Sequence, residues 1–171
     1  MTPTAKRRAP LPIEATVVHH QAVVATPLGP LCLQSDGRAI VGSDFRSGRA
    51  SPTREPADAL LREAREQVRA YFAQRLRRFD LPLHLSGTRF QTNVWKAVSE
   101  LAFGQIVSYG DVARAIGCPL AHRGVAAAIG RSQLDLFVPA HRVIGSDGRI
   151  KGASAGSLRR KLLAFEGVII R

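Results

Sequence analysis

The sequence predicts an α+β protein with two parts: a small antiparallel sheet with one helix, followed by a mostly helical part. Residues 16–46 hold three β-prone runs separated by turn residues. Residues 56–76 repeat apolar side chains at helical spacing, and further along the chain short amphipathic stretches alternate with glycine-containing turns. We therefore expect a disordered basic tail over 1–14, a supporting domain over 15–84 and a second domain over 85–171.

The first part is predicted to contribute structure rather than chemistry. Turns at 27–29 and 35–37 separate its three strands. Its helix, over 56–76, has Pro56 in the first turn and one apolar face that consists of Leu60, Leu61, Ala64, Val68, Tyr71, Phe72 and Leu76. No cluster of reactive or ligand-type side chains stands out in this stretch, so we interpret it as a support for the second part.

The second part begins with the pattern of a helix-turn-helix. A helix is predicted over 87–101, and two shorter helices over 109–116 and 120–130. Gly117 ends the first of the short helices, and a Cys-Pro pair after it makes the turn. Two helices joined by a short glycine-containing turn are the core of many DNA-binding domains.

A hairpin and a final helix are expected to complete a winged helix-turn-helix domain. The segment RVIG-SDG-RIKG, 142–152, places turn residues between two short runs and predicts a hairpin, which would be the wing. The last helix is predicted over SLRRKLLAFEG, 157–167, and ends at Gly167. Thr88 is the expected cap of the helix that opens this domain.

The charge balance favours a polyanionic partner. Lys and Arg total 25 against 13 acidic residues, which gives a formal net charge of +12 and a pI near 11.3. Nucleic acid is the commonest such partner, because each basic side chain placed on a phosphate releases a condensed counterion. The alternative is a cationic surface that serves only solubility.

Other classes are disfavoured by composition. No apolar run approaches the roughly 18 residues of a membrane span, and the first ten residues lack the apolar stretch of a secretory signal. We expect a cytoplasmic protein, associated with the nucleoid of a bacterium, that works as a monomer. The two cysteines, Cys32 and Cys118, lack the spacing of a zinc site. We predict neither a metal nor a cofactor.

The second helix of the helix-turn-helix carries few side chains that could read bases. Its surface is built from small residues, namely Gly124, Ala126, Ala127, Ala128 and Gly130. Small residues allow a close backbone approach, either to a packed neighbour or to a narrow groove whose shape is sensed. Arg123 is the long cationic side chain on this smooth surface.

The segment Pro139-Ala140-His141-Arg142 resembles a loop that presents one side chain beside a histidine, yet the presented group is a methyl. With its surroundings it resembles the O6-alkylguanine-DNA alkyltransferase family from Gly87 to Gly167. The matching positions are Gly87-Thr88, Phe90-Gln91, Val94 to Ala97, Ser108 to Gly110, Ala113, Ile116-Gly117, Arg123, Pro139, His141 to Ile144, Gly148, Leu162-Leu163 and Glu166-Gly167. The first part resembles the family's smaller domain more weakly, through TPLGPL at 26–31 and the long helix.

The resemblance implies that the protein binds duplex DNA from the minor groove and flips a damaged base into a pocket. Arg123 matches the arginine that takes the place of the flipped base, and Tyr109 matches the tyrosine that crowds the 3′ phosphate. In the family a cysteine at the position of Ala140 accepts the alkyl group irreversibly. His141 matches the histidine that activates this thiol through water, and Glu166 the carboxylate that holds the histidine.

Further site residues are expected on the recognition helix, near the end of the hairpin, at the start of the last helix and around the loop. Beside Arg123, the backbone of the recognition helix at Ala126 and Ala127 is expected to approach DNA. Lys151, Arg159 and Lys161 are expected to contact phosphates. The pocket is expected to be lined by Ser132, Val138, Pro139, Ser154 and Ser157.

Several of these positions depart from the family. Ala140 has no atom that can attack an alkyl carbon. Ser132 and Gln133 stand where the family has an Asn-Pro pair that ties the acceptor loop. Ser154 corresponds to a tyrosine of the base pocket, and Ser157 to a glycine. His141 and Glu166 are then interpreted as a retained structural pair.

Three hypotheses remain at this point. The first is an alkyltransferase-like protein that binds O6-alkylguanine in duplex DNA without repairing it and passes the lesion to nucleotide excision repair proteins. The second is a working alkyltransferase in which cysteine was replaced by Ala140; it does not account for Ser132, Gln133 or Ser154. The third is a winged-helix regulator without lesion preference. We favour the first.

Overall fold

A computed structural model describes residues 20–45, 51–151 and 153–170, and for 153–157 it describes the backbone only. The expected α+β class is confirmed: a three-stranded antiparallel sheet precedes a helical part. The tail predicted over 1–14 lies outside the described residues.

The sheet has the order β1-β2-β3, with β1 over His20–Val24, β2 over Leu31–Ser35 and β3 over Ile40–Asp44. All neighbours are antiparallel. In β2 buried and half-buried side chains alternate, so one face of the sheet enters the core. The two predicted turns are present, with Gly29 and Gly37 at positive φ of 110° and 85°. The first predicted strand began at residue 16, and its part before His20 is outside the described chain.

Helix α1 spans Ala59–Phe72 and is shorter than the predicted 56–76. It begins after Asp58, whose side chain accepts a hydrogen bond from the Leu60 N–H at 2.9 Å. Pro56 therefore precedes the helix instead of lying in its first turn. At the other end Gln74 takes a positive φ of 61°, which stops the helix before Leu76.

Helix α2 spans Arg89–Ser99, inside the predicted 87–101. The expected cap at Thr88 is present and forms a capping box with Gln91. The indole N–H of Trp95 donates to the Ala128 carbonyl at 2.8 Å, which fixes α2 against the second helix of the helix-turn-helix.

The helix-turn-helix is confirmed, with α3 over Tyr109–Ala115 and α4 over His122–Gly130. Gly117 follows α3 at a φ of 75° and donates to the Arg114 carbonyl, while the next N–H, of Cys118, donates to the Ala113 carbonyl. This pair of hydrogen bonds is a Schellman motif, so the glycine ends α3 as the sequence predicted.

The predicted hairpin is not formed as two paired strands. Strand β5, Val143–Ile144, pairs in parallel with β4, Val107–Ser108, a strand that the sequence did not predict. Both β5 residues are buried, and parallel pairing covers them. The predicted turn is present, and it is closed by a hydrogen bond from the Gly145 N–H to the Arg149 carbonyl at 2.8 Å.

The last helix, α5, spans Ala153–Phe165 and starts earlier than expected. Gly167, at a φ of 83°, ends it with a second Schellman motif: the Val168 N–H donates to the Leu163 carbonyl and the Gly167 N–H to the Ala164 carbonyl. Among the described helices none has the length and apolar character to cross a membrane.

Candidate functional site

The loop that carries Ala140 is a buried segment that ends in one turn of 3-10 helix, Ala140–Arg142. Val138, Pro139 and His141 are buried, whereas Ala140 is half-buried. The Ala140 N–H donates to the Val138 carbonyl at 2.7 Å, and the Arg142 N–H to the Pro139 carbonyl at 2.9 Å. Ala140 thus stands at the surface end of an otherwise buried and hydrogen-bonded loop.

Strand β3 braces the start of this loop. The Ser43 N–H donates to the Gln133 carbonyl at 2.8 Å, and the Asp135 N–H donates back to the Ser43 carbonyl at 3.0 Å. The Ser43 hydroxyl adds a bond to the Asp135 carbonyl at 2.6 Å. Ser132 itself makes a local contact, in which its hydroxyl accepts the Leu134 N–H at 3.3 Å. The sheet of the first part therefore holds the segment that leads to Ala140.

A buried carboxylate lies directly behind the loop. Glu166 Oε1 contacts the Tyr71 hydroxyl at 2.7 Å, His141 Nε2 at 2.8 Å and an Arg142 terminal nitrogen at 2.7 Å. Glu166 Oε2 accepts Arg142 Nε at 3.0 Å and the Gly104 N–H at 2.8 Å. The side chain of Glu166 is 0% exposed. All five donors converge on one desolvated charge, which is the arrangement that such a charge requires.

The five donor groups belong to four residues in three separate parts of the chain. Tyr71 lies on α1, Gly104 in the turn after α2, and His141 and Arg142 in the 3-10 turn, while Glu166 follows the end of α5. Arg142 also donates to the Leu101 carbonyl at 2.6 Å, so its guanidinium bridges the loop and that turn. We call Glu166 with Tyr71, Gly104, His141 and Arg142 the Glu166 cluster.

The cluster fixes the ionisation of its members. Burial opposes the charge on Glu166, but the hydrogen bonds from His141 and Arg142 outweigh it and hold the pKa of this carboxyl below its usual range. Burial lowers the pKa of His141, although the bond to Glu166 acts in the opposite direction. Burial and the Glu166 charge raise the pKa of Tyr71. At neutral pH the cluster therefore holds an ionised Glu166, a neutral His141 and a protonated Tyr71.

These states decide the tautomer of His141. An ionised carboxylate only accepts hydrogen bonds. His141 Nε2 therefore carries the proton and donates a hydrogen bond to Glu166. Nδ1 is then unprotonated and is a proton acceptor, the form in which a histidine activates a thiol. The residue before it in the chain, Ala140, has no acidic proton to give. The loop thus presents an unprotonated ring nitrogen beside a methyl side chain.

The side chains expected to contact DNA fall on α3 and α4. Arg123 and Ala127 are exposed on α4, and Ala126 is half-buried. Tyr109 is the first residue of α3 and is 8% exposed. Gly124 is also exposed, and a Cβ placed there would lie 3.2 Å from the ring of Phe90. Small residues on α4 thus serve both packing and a smooth outer surface.

The other expected site residues are more dispersed. Lys151 and Lys161 are exposed, whereas Arg159 is half-buried and donates to the Lys151 carbonyl at 3.3 Å. The side chains of Ser154 and Ser157 lie outside the described ones. Within the part of the chain that the structure covers, no three His, Cys, Asp or Glu side chains group as metal ligands.

Sequence reasoning missed three contributors to the site. The helical periodicity predicts Tyr71 on the apolar face of α1. The one signal of its role is that a hydroxyl at a core-facing position needs a buried hydrogen-bond partner. Gly104 and Ser43 act through backbone groups and a long-range contact, for which the sequence has no local signal. Arg142 was noted as part of the loop, but its bidentate bond to Glu166 was not predicted.

Comparison with known proteins places the chain in a family. The family model described as 6-O-methylguanine DNA methyltransferase, DNA binding domain, matches residues 89–168. The model for the ribonuclease-like domain of the same methyltransferase matches residues 20–85. The chain belongs to this family. The two matches together cover the sheet with α1 and the helical part that contains Ala140.

Individual relatives agree with this membership. A methylated-DNA–protein-cysteine methyltransferase of Methanosarcina barkeri is 37% identical over 150 residues, which are 84% of this chain and 94% of the relative. The crystal structure of the Mycobacterium tuberculosis O6-methylguanine methyltransferase matches with a TM-score of 0.78 at 36% identity. The match covers 87% of this chain and 93% of the mycobacterial chain. M. tuberculosis OGT in complex with DNA gives a TM-score of 0.76 at 36% identity, over 86% and 93% of the two chains.

The buried ion pair of the Glu166 cluster predicts a large stability effect. Arg142→Ala is expected to lower the free energy of unfolding by about 3–5 kcal/mol, because it leaves the Glu166 charge buried without its main partner. Arg78→Ala is the matched control: its ion pair with Glu100 has a similar length, 2.9 Å, but both side chains are more than two-thirds exposed. The control should lose less than about 1 kcal/mol. Urea unfolding measures both, and equal losses would contradict the assignment.

The depressed pKa of His141 predicts a loss of stability in mild acid. Below its ordinary value of 6.5 the unfolded chain takes up a proton on this histidine and the folded chain does not. The free energy of unfolding should then fall by up to about 1.4 kcal/mol per pH unit. Glu166 adds a second loss below its ordinary value of 4.5.

Unfolding titrations between pH 8 and pH 5 test this assignment. His141→Gln should flatten the decline that starts near pH 6.5, because glutamine does not titrate. The wild-type protein, measured in parallel, gives the reference profile. If His141→Gln retained the full decline, another group would be responsible for it.

Proposed function

We propose that this protein binds duplex DNA and holds an O6-alkylguanine, flipped from the helix, without removing the alkyl group. The observation that carries the proposal is Ala140, a methyl side chain at the acceptor position of a loop whose supporting hydrogen bonds are complete. Transfer requires a nucleophile that attacks the alkyl carbon while the bond to O6 breaks. Alanine offers none.

Neither cysteine of the chain replaces the missing thiol. Cys118 is exposed in the turn between α3 and α4, and Cys32 lies on β2 in the sheet. The base, His141, is instead held within the loop by its hydrogen bond to Glu166, at 2.8 Å. A thiol elsewhere on the surface would need both the base and a bound lesion beside it.

DNA binding is supported by charge, by surface shape and by the relatives. The formal net charge of +12 supplies the long-range attraction to phosphates. Helix α4 offers a smooth face in which Ala127 and Gly130 are exposed next to Arg123. A similar protein, M. tuberculosis OGT, has been solved in complex with DNA. We infer that α4 enters the minor groove and that Arg123 fills the space of the extruded base.

The Glu166 cluster then has a structural task. It fixes the 3-10 turn so that Ala140 and Pro139 form one wall of the lesion pocket. A methyl at position 140 leaves space for the alkyl group, which a larger side chain would occupy. A bound lesion that persists can be passed on, and we propose nucleotide excision repair proteins as the partners that receive it.

A second candidate is an alkyltransferase whose acceptor cysteine has been replaced by Ala140. The geometry of His141 and Glu166 favours it, because the base and its orienting carboxylate stand as the reaction would need them. The identity of 37% to methyltransferases over most of the chain points the same way. Both candidates bind the lesion; they differ in whether the rest of the pocket still supports transfer.

A binding titration at fixed salt tests the proposed function. A duplex with one O6-methylguanine should bind more tightly than the same duplex without the lesion, and the methyl group should still be on the base after binding. Arg123→Ala should reduce this preference by roughly tenfold, because the extruded base is then no longer replaced in the stack.

Arg131→Ala is the matched control for that substitution. Arg131 is an exposed arginine at the other end of α4, and its loss should weaken binding to both duplexes equally. Equal affinity of the wild-type protein for the two duplexes would remove the lesion preference and leave a winged-helix DNA-binding protein. An unchanged preference in Arg123→Ala would remove the role of this arginine.

Restoring the nucleophile separates the two candidates. Ala140→Cys is expected to transfer alkyl groups once per molecule: sulfur bonds to the alkyl carbon, the bond to O6 breaks, and the proton passes through His141 to the departing guanine. Mass spectrometry detects the alkylated protein, and Ala140→Cys combined with His141→Gln is the control that should be slower. Transfer as fast as that of the M. tuberculosis enzyme would favour the second candidate. Lesion binding without any transfer would show that the pocket no longer aligns the alkyl carbon.

A further inference from the structure

The turn between α3 and α4 exposes an uncharged, largely apolar surface on a strongly basic protein. Its residues, Gly117, Cys118, Pro119 and Leu120, are all exposed. Leu120 is 92% exposed, the highest value among the large apolar side chains that the structure describes. We call residues 117–120 the apolar tip. A leucine so exposed contributes almost nothing to its own core, so its side chain is available for contact with a partner.

The tip is held in place by backbone hydrogen bonds. The Schellman motif after α3 fixes Gly117 and Cys118. The Ala121 N–H then donates to the Cys118 carbonyl at 2.9 Å, which closes a four-residue turn with Pro119 at its second position. Proline limits the backbone there, so Leu120 is presented from a fixed point. Ordering it on a partner therefore costs only the freedom of its own side chain.

The position of the tip indicates what it contacts. Leu120 lies two residues before His122, the first residue of α4. Arg123 is the second residue of this helix. Under the proposed function α4 lies in the minor groove and Arg123 fills the place of the flipped base. The deoxyribose walls of that groove are apolar, and apolar side chains wedge between its base steps in proteins that kink DNA.

We propose that Leu120 is a second DNA-inserting side chain, which packs into the minor groove beside the flipped nucleotide. This assignment rests on the proposed function only for the placement of α4. Arg123 acts on the lesion itself, whereas Leu120 contacts the flanking sugar and base step. Leu120 therefore contributes to affinity for damaged and undamaged duplexes alike.

An apolar contact has a distinct salt signature. Phosphate contacts change the slope of log affinity against log salt by about one unit for each cation, because counterions are released. Leu120→Ala removes no charge, so it should weaken binding about tenfold at every salt concentration with the slope unchanged. Leu120→Lys should recover affinity at low salt and steepen the slope by about one unit, since the lysine reaches phosphates instead.

Ile169→Ala is the matched control. Ile169 is 91% exposed but follows α5, away from the helix-turn-helix in the chain. Its removal should leave affinity and slope as in the wild-type protein. Thermal unfolding of both alanine variants should match the wild type, because neither side chain packs in the core; this shows that any change in binding is not a folding defect.

Fluorescence anisotropy with one labelled duplex, with and without O6-methylguanine, measures all four proteins. A tenfold loss confined to Leu120→Ala, equal on both duplexes, supports the assignment. Unchanged duplex affinity in Leu120→Ala overturns it, and the tip would then face a protein or solvent. If the wild-type protein bound both duplexes equally but Leu120→Ala still lost affinity, the proposed function would be wrong and the assignment of Leu120 would stand.

Discussion

The desolvated carboxylate of Glu166 is the interaction on which the site depends. A charge removed from water is tolerated only when donors replace the lost hydration, and here five donors from α1, the turn after α2 and the 3-10 turn do so. Since the donors come from three separate places in the chain, the carboxylate also joins those places. Moving any one of them would leave a buried charge underpaired, which makes the position of the loop at 139–142 a property of the whole fold.

This arrangement explains how binding and chemistry can separate in one family. The side chain at position 140 contributes no atom to the Glu166 cluster; its backbone N–H bonds to Val138 instead. Replacing a thiol there would abolish transfer but would leave the hydrogen bonds of the Glu166 cluster in place. Losing His141 or Glu166 would instead disturb packing and charge balance. Under the proposed function, a chain without the nucleophile would keep His141 and Glu166 for reasons of stability.

The features that the sequence predicted well are those with local causes. The cap at Thr88 and the glycine stops at Gly117 and Gly167 depend on residues within one turn, and all three appear in the structure. The features it did not predict depend on distant partners. Strand β5 pairs with β4 across 36 residues of sequence instead of folding back on its own turn, as the register of Val107 with Val143 shows. The hydroxyl of Tyr71 reaches a carboxylate 95 positions away, a contact that helical periodicity cannot reveal.

The same long-range contacts give the first part of the chain a place in the site. Tyr71 on α1 supplies one donor to Glu166, and Ser43 on β3 makes three hydrogen bonds with the segment that leads to Ala140. A chain reduced to the helical part would expose the Glu166 side chain where Tyr71 covers it and would release the start of the loop. Recognition of a flipped base requires a wall at a fixed distance, since a pocket that relaxes cannot distinguish an alkylated base from an ordinary one. Under the proposed function, the sheet and α1 therefore support the lesion pocket from behind, and their hydrogen bonds connect the fold of the first part to the selectivity of the second.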